Sequence, residues 1–189
     1  MVPDLYRGKA GYDAEEAKHN MQSLDFKAAV QDVAGAAAWL KAEGSPAVGT
    51  IGFCMGGALA LAAGCLEPRA VAAAVGFYGV PSPSLCDMAT MAVPAQGHFG
   101  RQDHAAGFAD VAAADKLAGQ LAAAPAAAAS AVFIYDGVGH AFLNDDAEGI
   151  ARRAALGQGD HDPAAVALAW QRVFAFFAQH LRAGGGGVQ

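Results

Sequence analysis

Nine residues of the sequence indicate its fold most strongly: Gly49-Thr50-Ile51-Gly52-Phe53-Cys54-Met55-Gly56-Gly57. The apolar run from Ala47 to Phe53 predicts a short β-strand, and the residues from Met55 to Leu66 predict a helix that follows at once. Cys54 stands between the two elements, with glycines two residues before it and two residues after it. We interpret this stretch as a sharp strand-to-helix turn that presents the cysteine at its tip.

The pattern around Cys54 matches the nucleophile turn Gly-x-Ser-x-Gly, with cysteine in place of serine. We predict that Gly52 and Gly56 leave the room that a strained backbone at the turn requires. The N-terminus of the following helix favours the reactive thiolate, and the N–H of Met55 is the first candidate donor to an oxyanion. A buried structural cysteine is the alternative interpretation. A phosphate-binding loop is excluded because no Lys-Ser or Lys-Thr pair follows Gly57.

The rest of the chain alternates between apolar strands and helices. Strands of this kind predict an α/β fold with a mostly parallel sheet and helices on both faces. The first strand appears only at Ala47, so we expect the sheet to be N-terminally truncated. The other predicted strands are Ala70–Phe77, Val93–Phe99 and Val132–Tyr135. The other predicted helices are Leu24–Glu43 (with Ser23 as its N-cap), Phe108–Ala124 and Asp162–Leu181.

The composition, 54% hydrophobic and 16% charged, is that of a globular protein. We expect one domain over residues 1–183 and a flexible Gly-rich tail over residues 184–189. The net charge of −6 argues against a nucleic-acid partner, and no stretch is apolar for long enough to span a membrane. The start lacks the features of a secretory signal and the three cysteines are scattered, so we predict a cytoplasmic location.

Two residues downstream of the turn are suited to assist a cysteine nucleophile. Asp103 follows the strand Val93–Phe99, and His140 follows the strand Val132–Tyr135. Parallel sheets form their sites at the edge where the carboxyl ends of the strands lie. Along the chain the order is nucleophile, acid, histidine, as it is in proteins with such a nucleophile turn. The group His98, Asp103 and His104 is a weak metal-site alternative without a recognised ligand spacing.

These residues together resemble the dienelactone hydrolase family (carboxymethylenebutenolidases) of α/β-hydrolases. The resemblance extends from about Pro3 to Leu181, and the cysteine turn is its most specific part. Five segments carry it: Pro3-Asp4-Leu5-Tyr6-Arg7-Gly8, Gly52-Phe53-Cys54-Met55-Gly56-Gly57-Ala58, Gly76-Phe77-Tyr78-Gly79, Gly100-Arg101-Gln102-Asp103-His104 and Gly139-His140-Ala141-Phe142.

The resemblance implies hydrolysis of an enol-lactone or a related small ester, without a cofactor or a metal. It implies that Cys54 attacks the carbonyl, that His140 relays the proton and that Asp103 orients the imidazole. It also implies that Met55 donates to the oxyanion. Arg7 and Tyr78 are the corresponding candidates for binding the substrate.

The sequence differs from the family pattern in two places. Family members carry several dozen residues before the Pro-Asp-Leu-Tyr segment, including a loop with a second oxyanion donor, whereas here only Met1 and Val2 precede Pro3. Lactone-specific members have an arginine four residues after the catalytic histidine, where this chain has Asn144. We therefore expect a truncated hydrolase. The alternatives are a catalytically impaired remnant that acts at most as a binding module and a thiol redox sensor at Cys54.

Overall fold

A computed structural model describes residues 1–182 of the chain. Four parallel strands form one sheet in the order β1-β2-β3-β4: β1 (Gly49–Phe53), β2 (Ala73–Phe77), β3 (Ala95–Gly100) and β4 (Ala131–Tyr135). Six α-helices accompany them: α1 (Ala14–Gln22), α2 (Phe26–Ala42), α3 (Met55–Leu66), α4 (Val111–Ala123), α5 (Ala147–Ala155) and α6 (Pro163–His180). The predicted α/β fold with a parallel sheet is confirmed.

One face of the sheet is covered by α3 and α4, which approach it closely at two glycines. Gly76 of β2 and Gly97 of β3 are in register and therefore point to the same face. A Cβ atom at Gly76 would lie 2.7 Å from Leu61 of α3, and one at Gly97 would lie 2.9 Å from Leu117 of α4. Helix α2 packs beside α3 on this face, near β1.

The opposite face is covered by α6. Phe77, the neighbour of Gly76 in β2, points to this face, and its ring centroid lies 6.1 Å from that of Trp170. A Cβ atom at Gly49 of β1 would lie 2.7 Å from the ring of Phe177. The helices thus cover both faces of the sheet, as the near-continuous apolar character of the strands predicts.

His98 of β3 lies in this second face and is completely buried. Its Nδ1 atom is 2.8 Å from the Tyr135 hydroxyl, and its Nε2 atom is 3.1 Å from Oε1 of Gln96. Burial, together with the nearby charge of Arg172, lowers the pKa of His98 to about 3, so the ring is neutral. Both ring nitrogens are engaged in the core, which contradicts the alternative of a metal site at His98, Asp103 and His104.

The structure also corrects two details of the predicted elements. Helix α2 begins at Phe26 and is capped by the carboxylate of Asp25, which accepts from two N–H groups of the first turn, rather than by Ser23. Two helices were not expected: α1, and α5 between β4 and α6. Helix α1 buries no residue, and in α5 Ile150 is the only large apolar residue and Arg153 the only buried one, so neither helix shows the row of large apolar residues that predicts a packed helix.

Two expectations concern the chain as a whole. The predicted Gly-rich tail, residues 184–189, lies outside the described residues, and the assignment of residues 1–183 to one domain stays a prediction.

No helix within residues 1–182 has the length and apolar character needed to cross a membrane. The three cysteines, Cys54, Cys65 and Cys86, are all unpaired thiols.

Candidate active site

The turn at Cys54 has the strained backbone that its glycine pattern predicts. Cys54 joins β1 to α3 with φ 54° and ψ −122°, a backbone conformation that residues other than glycine rarely adopt. Its N–H donates to the carbonyl of Phe77 over 3.0 Å, and its own carbonyl accepts from the N–H of Gly57 over 2.9 Å. The end of the neighbouring strand β2 and the first turn of α3 therefore hold the strained residue in place.

Backbones approach each other closely at several glycines of this turn, but only one of the two expected positions, Gly52, is among them. A Cβ atom at Gly52 would lie 1.9 Å from the carbonyl oxygen of Gly56, as predicted for this position. At Gly56, however, an added Cβ atom would meet nothing within 4 Å. A second crowded position is Gly57, where a Cβ atom would lie 2.5 Å from the carbonyl oxygen of Phe77. The prediction for Gly56 was wrong because the α3 backbone turns that position away from β2.

The two predicted partners of Cys54 meet at the carboxyl ends of β3 and β4. Oδ2 of Asp103 lies 2.7 Å from Nδ1 of His140, and Oδ1 accepts from the N–H of Ala105 over 3.0 Å. The Asp103 side chain is fully buried, whereas that of His140 is 22% exposed. The His140 side chain is in turn close enough to Cys54 for their interaction to lower the pKa of the thiol. The structure thus brings together all three residues.

The pKa values of Cys54 and His140 are shifted by this contact. The hydrogen bond with His140 lowers the pKa of the Cys54 thiol. Its partial burial and the Asp103 charge act against this, whereas the His140 charge and the Met55 N–H reinforce it. Burial alone would lower the pKa of His140, but its hydrogen bonds and charge interactions with Asp103 and Cys54 together raise that pKa to about 9. The arrangement favours a thiolate beside an imidazolium.

The remaining predicted residues have different positions. The backbone N–H of Met55 lowers the pKa of the Cys54 thiol, as a donor close to the sulfur does. Tyr78 follows β2, with φ 38°, and its ring centroid lies 5.1 Å from that of His140. Burial raises the pKa of the Tyr78 hydroxyl, which is therefore neutral. Arg7 forms an ion pair with Asp32 of α2 over 2.9 Å and is largely exposed.

The site also contains a residue that the sequence pattern did not indicate. Gln158 lies after α5, and its side-chain oxygen accepts from the backbone N–H of His140 over 3.0 Å. It stands 18 residues beyond His140 in an irregular segment, and no periodicity or motif marks it.

The parallel sheet, its helices on both faces and the cysteine turn at the end of β1 define an α/β-hydrolase fold. A solved structure with this fold, the dienelactone hydrolase of Anabaena variabilis, matches with a TM-score of 0.59. It is 22% identical, and the match covers 92% of this chain and 70% of that one. At this level of identity the match supports the fold alone.

The sequence relationship is more specific. The dienelactone hydrolase family matches residues 1–181, and the chain belongs to this family. It is 30% identical to the carboxymethylenebutenolidase of Rhodococcus opacus over 200 residues, covering 97% of this chain and 71% of that protein. It is 27% identical to "Protein usf" of Aquifex pyrophilus, covering 95% of this chain and 74% of that protein. The predicted family is therefore confirmed, and the protein is a hydrolase.

Proposed function

We propose that this protein hydrolyses a small ester or lactone, with Cys54 as nucleophile, His140 as acid and base, and Asp103 as the group that orients His140. One observation carries the proposal: the buried Asp103 carboxylate lies 2.7 Å from Nδ1 of His140, and the His140 side chain in turn lowers the pKa of the Cys54 thiol. This is the arrangement of an activated nucleophile, with a base within reach and a third group that orients the base. Similarity to a carboxymethylenebutenolidase supports a lactone as the substrate class.

In the first half of the reaction, the Cys54 thiolate forms a C–S bond to the substrate carbonyl carbon, and the carbonyl π electrons move onto oxygen. The N–H of Met55 stabilises this oxyanion. When the intermediate collapses, the C–O bond to the leaving group breaks and the alkoxide takes a proton from His140. The products are a thioester and a free alcohol, which stays attached to the acyl group if the substrate is a lactone.

In the second half, a water molecule gives a proton to His140 and attacks the thioester carbonyl. The C–S bond then breaks and the carboxylic acid leaves, which restores the thiolate and the imidazolium. Nδ1 of His140 faces Asp103 throughout, so the other ring nitrogen, Nε2, handles the transferred proton. No step requires a cofactor or a metal.

Substrate binding by Tyr78 and Arg7 is part of the same proposal. Tyr78 is well placed, because its ring packs against that of His140 and its neutral hydroxyl can hydrogen-bond to an uncharged ester. Arg7 can serve only if the substrate competes with Asp32 for the guanidinium. The Tyr6 hydroxyl, which lies 3.9 Å from the sulfur of Met55, brings the Arg7 segment close to the turn.

The test is hydrolysis of p-nitrophenyl acetate and of an unsaturated γ-lactone by the wild type and three variants. Cys54→Ala and His140→Ala should each lower turnover by several orders of magnitude, because each removes a group that makes or breaks a bond. Cys86→Ala is the matched control, since this thiol is buried beside α4 and takes no part in the mechanism. Turnover of Cys54→Ala at the wild-type rate would contradict the proposal. Absence of turnover in every protein would favour the binding-module alternative.

A further inference from the structure

His140 stands in an irregular segment between β4 and α5 that is under backbone strain. The residue after it, Ala141, has φ 57°, in the left-handed region that alanine rarely adopts. Such a conformation is unfavourable for alanine and persists only where the surrounding structure enforces it. The hydrogen bond to Asp103 holds only the imidazole ring. A second contact must therefore hold the backbone that carries the ring.

Gln158 supplies this contact from the far side of α5. Its Oε1 atom accepts from the N–H of His140 over 3.0 Å, and its own N–H donates to the carbonyl of Arg153 over 3.0 Å. A Cβ atom at Gly139 would lie 2.6 Å from the carbonyl oxygen of Gln158, so the two backbones are in direct contact. Gln158 thus contacts His140 through its side chain and Gly139 through its backbone.

The segment that carries Gln158 is itself attached to the His140 loop directly after Gln158. Val138 and Gly159 form an antiparallel bridge, and the N–H of Asp160 donates to the carbonyl of Gly137 over 3.2 Å. The amide oxygen of Gln158 is therefore presented by a fixed backbone rather than by a free loop.

Arg153 completes the attachment. It is 4% exposed, and its guanidinium donates to the carbonyl of Asn144 over 3.3 Å and to that of Asp160 over 3.4 Å. Asn144 lies on the His140 loop and Asp160 follows Gln158. Within residues 1–182 this buried cation forms no ion pair with a carboxylate. Its role in the described structure is to join the two segments.

We propose that Gln158 is a positioning residue that holds the backbone of His140 so that the imidazole reaches both Asp103 and Cys54. The inference rests on the proposed function, in which His140 is the acid and base. Two independent anchors, one on the ring and one on the main chain, define the ring position. Removal of the hydrogen bond from the His140 N–H to Gln158 lets the strained segment relax and moves Nε2 of His140 away from the Cys54 sulfur. A displacement of about 1 Å at such a group can cost about 10²-fold in rate.

The test compares Gln158→Met, which keeps the length of the side chain but has no acceptor oxygen, with Gln158→Glu, which keeps one. Gln120→Met is the matched control, because Gln120 is also half-buried but its side chain hydrogen-bonds to Asp87, on α4's side of the sheet. The main readout is the rate of Cys54 alkylation by iodoacetamide between pH 5 and 10, which needs no turnover. The second is kcat and KM for p-nitrophenyl acetate.

We expect Gln158→Met to move the alkylation profile of Cys54 towards higher pH, because the contact with His140 lowers the pKa of this thiol. We expect kcat to fall by about 10- to 100-fold with KM changed less than about 2-fold. Gln158→Glu should recover most of kcat, and Gln120→Met should match the wild type in both readouts.

A Gln158→Met protein with the wild-type alkylation profile would overturn the proposal, whatever its kcat. An unchanged profile would mean that His140 still lowers the pKa of Cys54 and has therefore kept its position. An equal shift in Gln120→Met would overturn it as well. These outcomes differ from failure of the proposed function, which would appear as hydrolysis by Cys54→Ala at the wild-type rate.

Discussion

Oδ2 of Asp103 lies 2.7 Å from Nδ1 of His140, and the two residues come from the ends of neighbouring parallel strands, β3 and β4. The Asp103 side chain is fully buried, and its other oxygen is occupied by the N–H of Ala105. One carboxylate oxygen thus accepts from the backbone, and the other pairs with His140. This contact fixes which ring nitrogen remains for Cys54, and it supports a positive imidazole at neutral pH.

The first prediction concerns the pH dependence of activity. With a thiolate and an imidazolium as the active pair, kcat/KM should be bell-shaped. It should fall on the acid side as Cys54 gains a proton, and on the alkaline side near pH 9 as His140 loses one. Hydrolysis of p-nitrophenyl acetate between pH 5 and 10.5 measures both limbs. A profile that stays flat up to pH 10.5 would contradict the raised pKa of His140.

Asp103→Asn tests the cause of the alkaline limb. Loss of the carboxylate should move this limb to lower pH, because Asp103 is one of the groups that raise the pKa of His140. It should also lower kcat by up to about 10⁴-fold, the scale of the equivalent change in a serine protease triad. The control is Asp136→Asn, since Asp136 is exposed and forms its ion pair with Arg101, away from His140. An alkaline limb that shifts equally in both variants would argue against the assigned role.

The second prediction is that an alkylating reagent at pH 7 labels Cys54 before Cys65 and Cys86. Cys65 has its own activating contact, because the hydrogen bond with Cys86 lowers its pKa to about 6. It is only 8% exposed, however, and Cys86 is 7% exposed, so access decides the order. Peptide mass analysis after limited labelling measures it. Faster labelling of Cys65 in the folded protein would show that thiol ionisation outweighs burial.

The third prediction compares the same substitution at adjacent glycines. Gly56→Ala should raise the free energy of unfolding by roughly 0.5–1 kcal/mol, since alanine favours the helix and its Cβ atom has open space. Gly57→Ala should lower it by roughly 1–3 kcal/mol or more, because its Cβ atom would press on the Phe77 carbonyl. Urea unfolding of the two variants provides the measurement, and equal effects would mean that the crowding at Gly57 is absent.

The fourth prediction concerns acid stability. The folded-state pKa of His98 is about 3, below the 6.5 of an exposed histidine, so only the unfolded chain takes up its proton between these values. The stability contributed by neutral His98 is thus fully present above about pH 6.5 and is lost as the pH falls towards 3. His98→Gln, which does not titrate, should lose less stability than the wild type between pH 7 and 4.5. The exposed His19→Gln serves as control. Identical pH slopes for all three proteins in urea unfolding would contradict the buried neutral state.

The fold was largely predictable, because the information that specifies it is local. β2 and β4 are apolar runs, whereas β1 includes Thr50 and β3 includes Gln96 and His98. All four observed strands nevertheless lie within or within one residue of the predicted ones. Helix α5 was not predictable in the same way. Its residues form few core contacts, and the buried Arg153 attaches it to the site.

For the candidate site, the amino-acid pattern is enough to place three residues after strand ends. A parallel sheet brings Cys54, Asp103 and His140 to one edge, whatever the details of packing. Three other features depend on packing in three dimensions: Gly57 rather than Gly56 is crowded, Arg7 pairs with Asp32, and Gln158 accepts a hydrogen bond from the N–H of His140. These contacts join segments without a common period, and their geometry depends on how helices and loops pack in three dimensions. Local patterns of hydrophobicity and backbone preference carry no information about such packing.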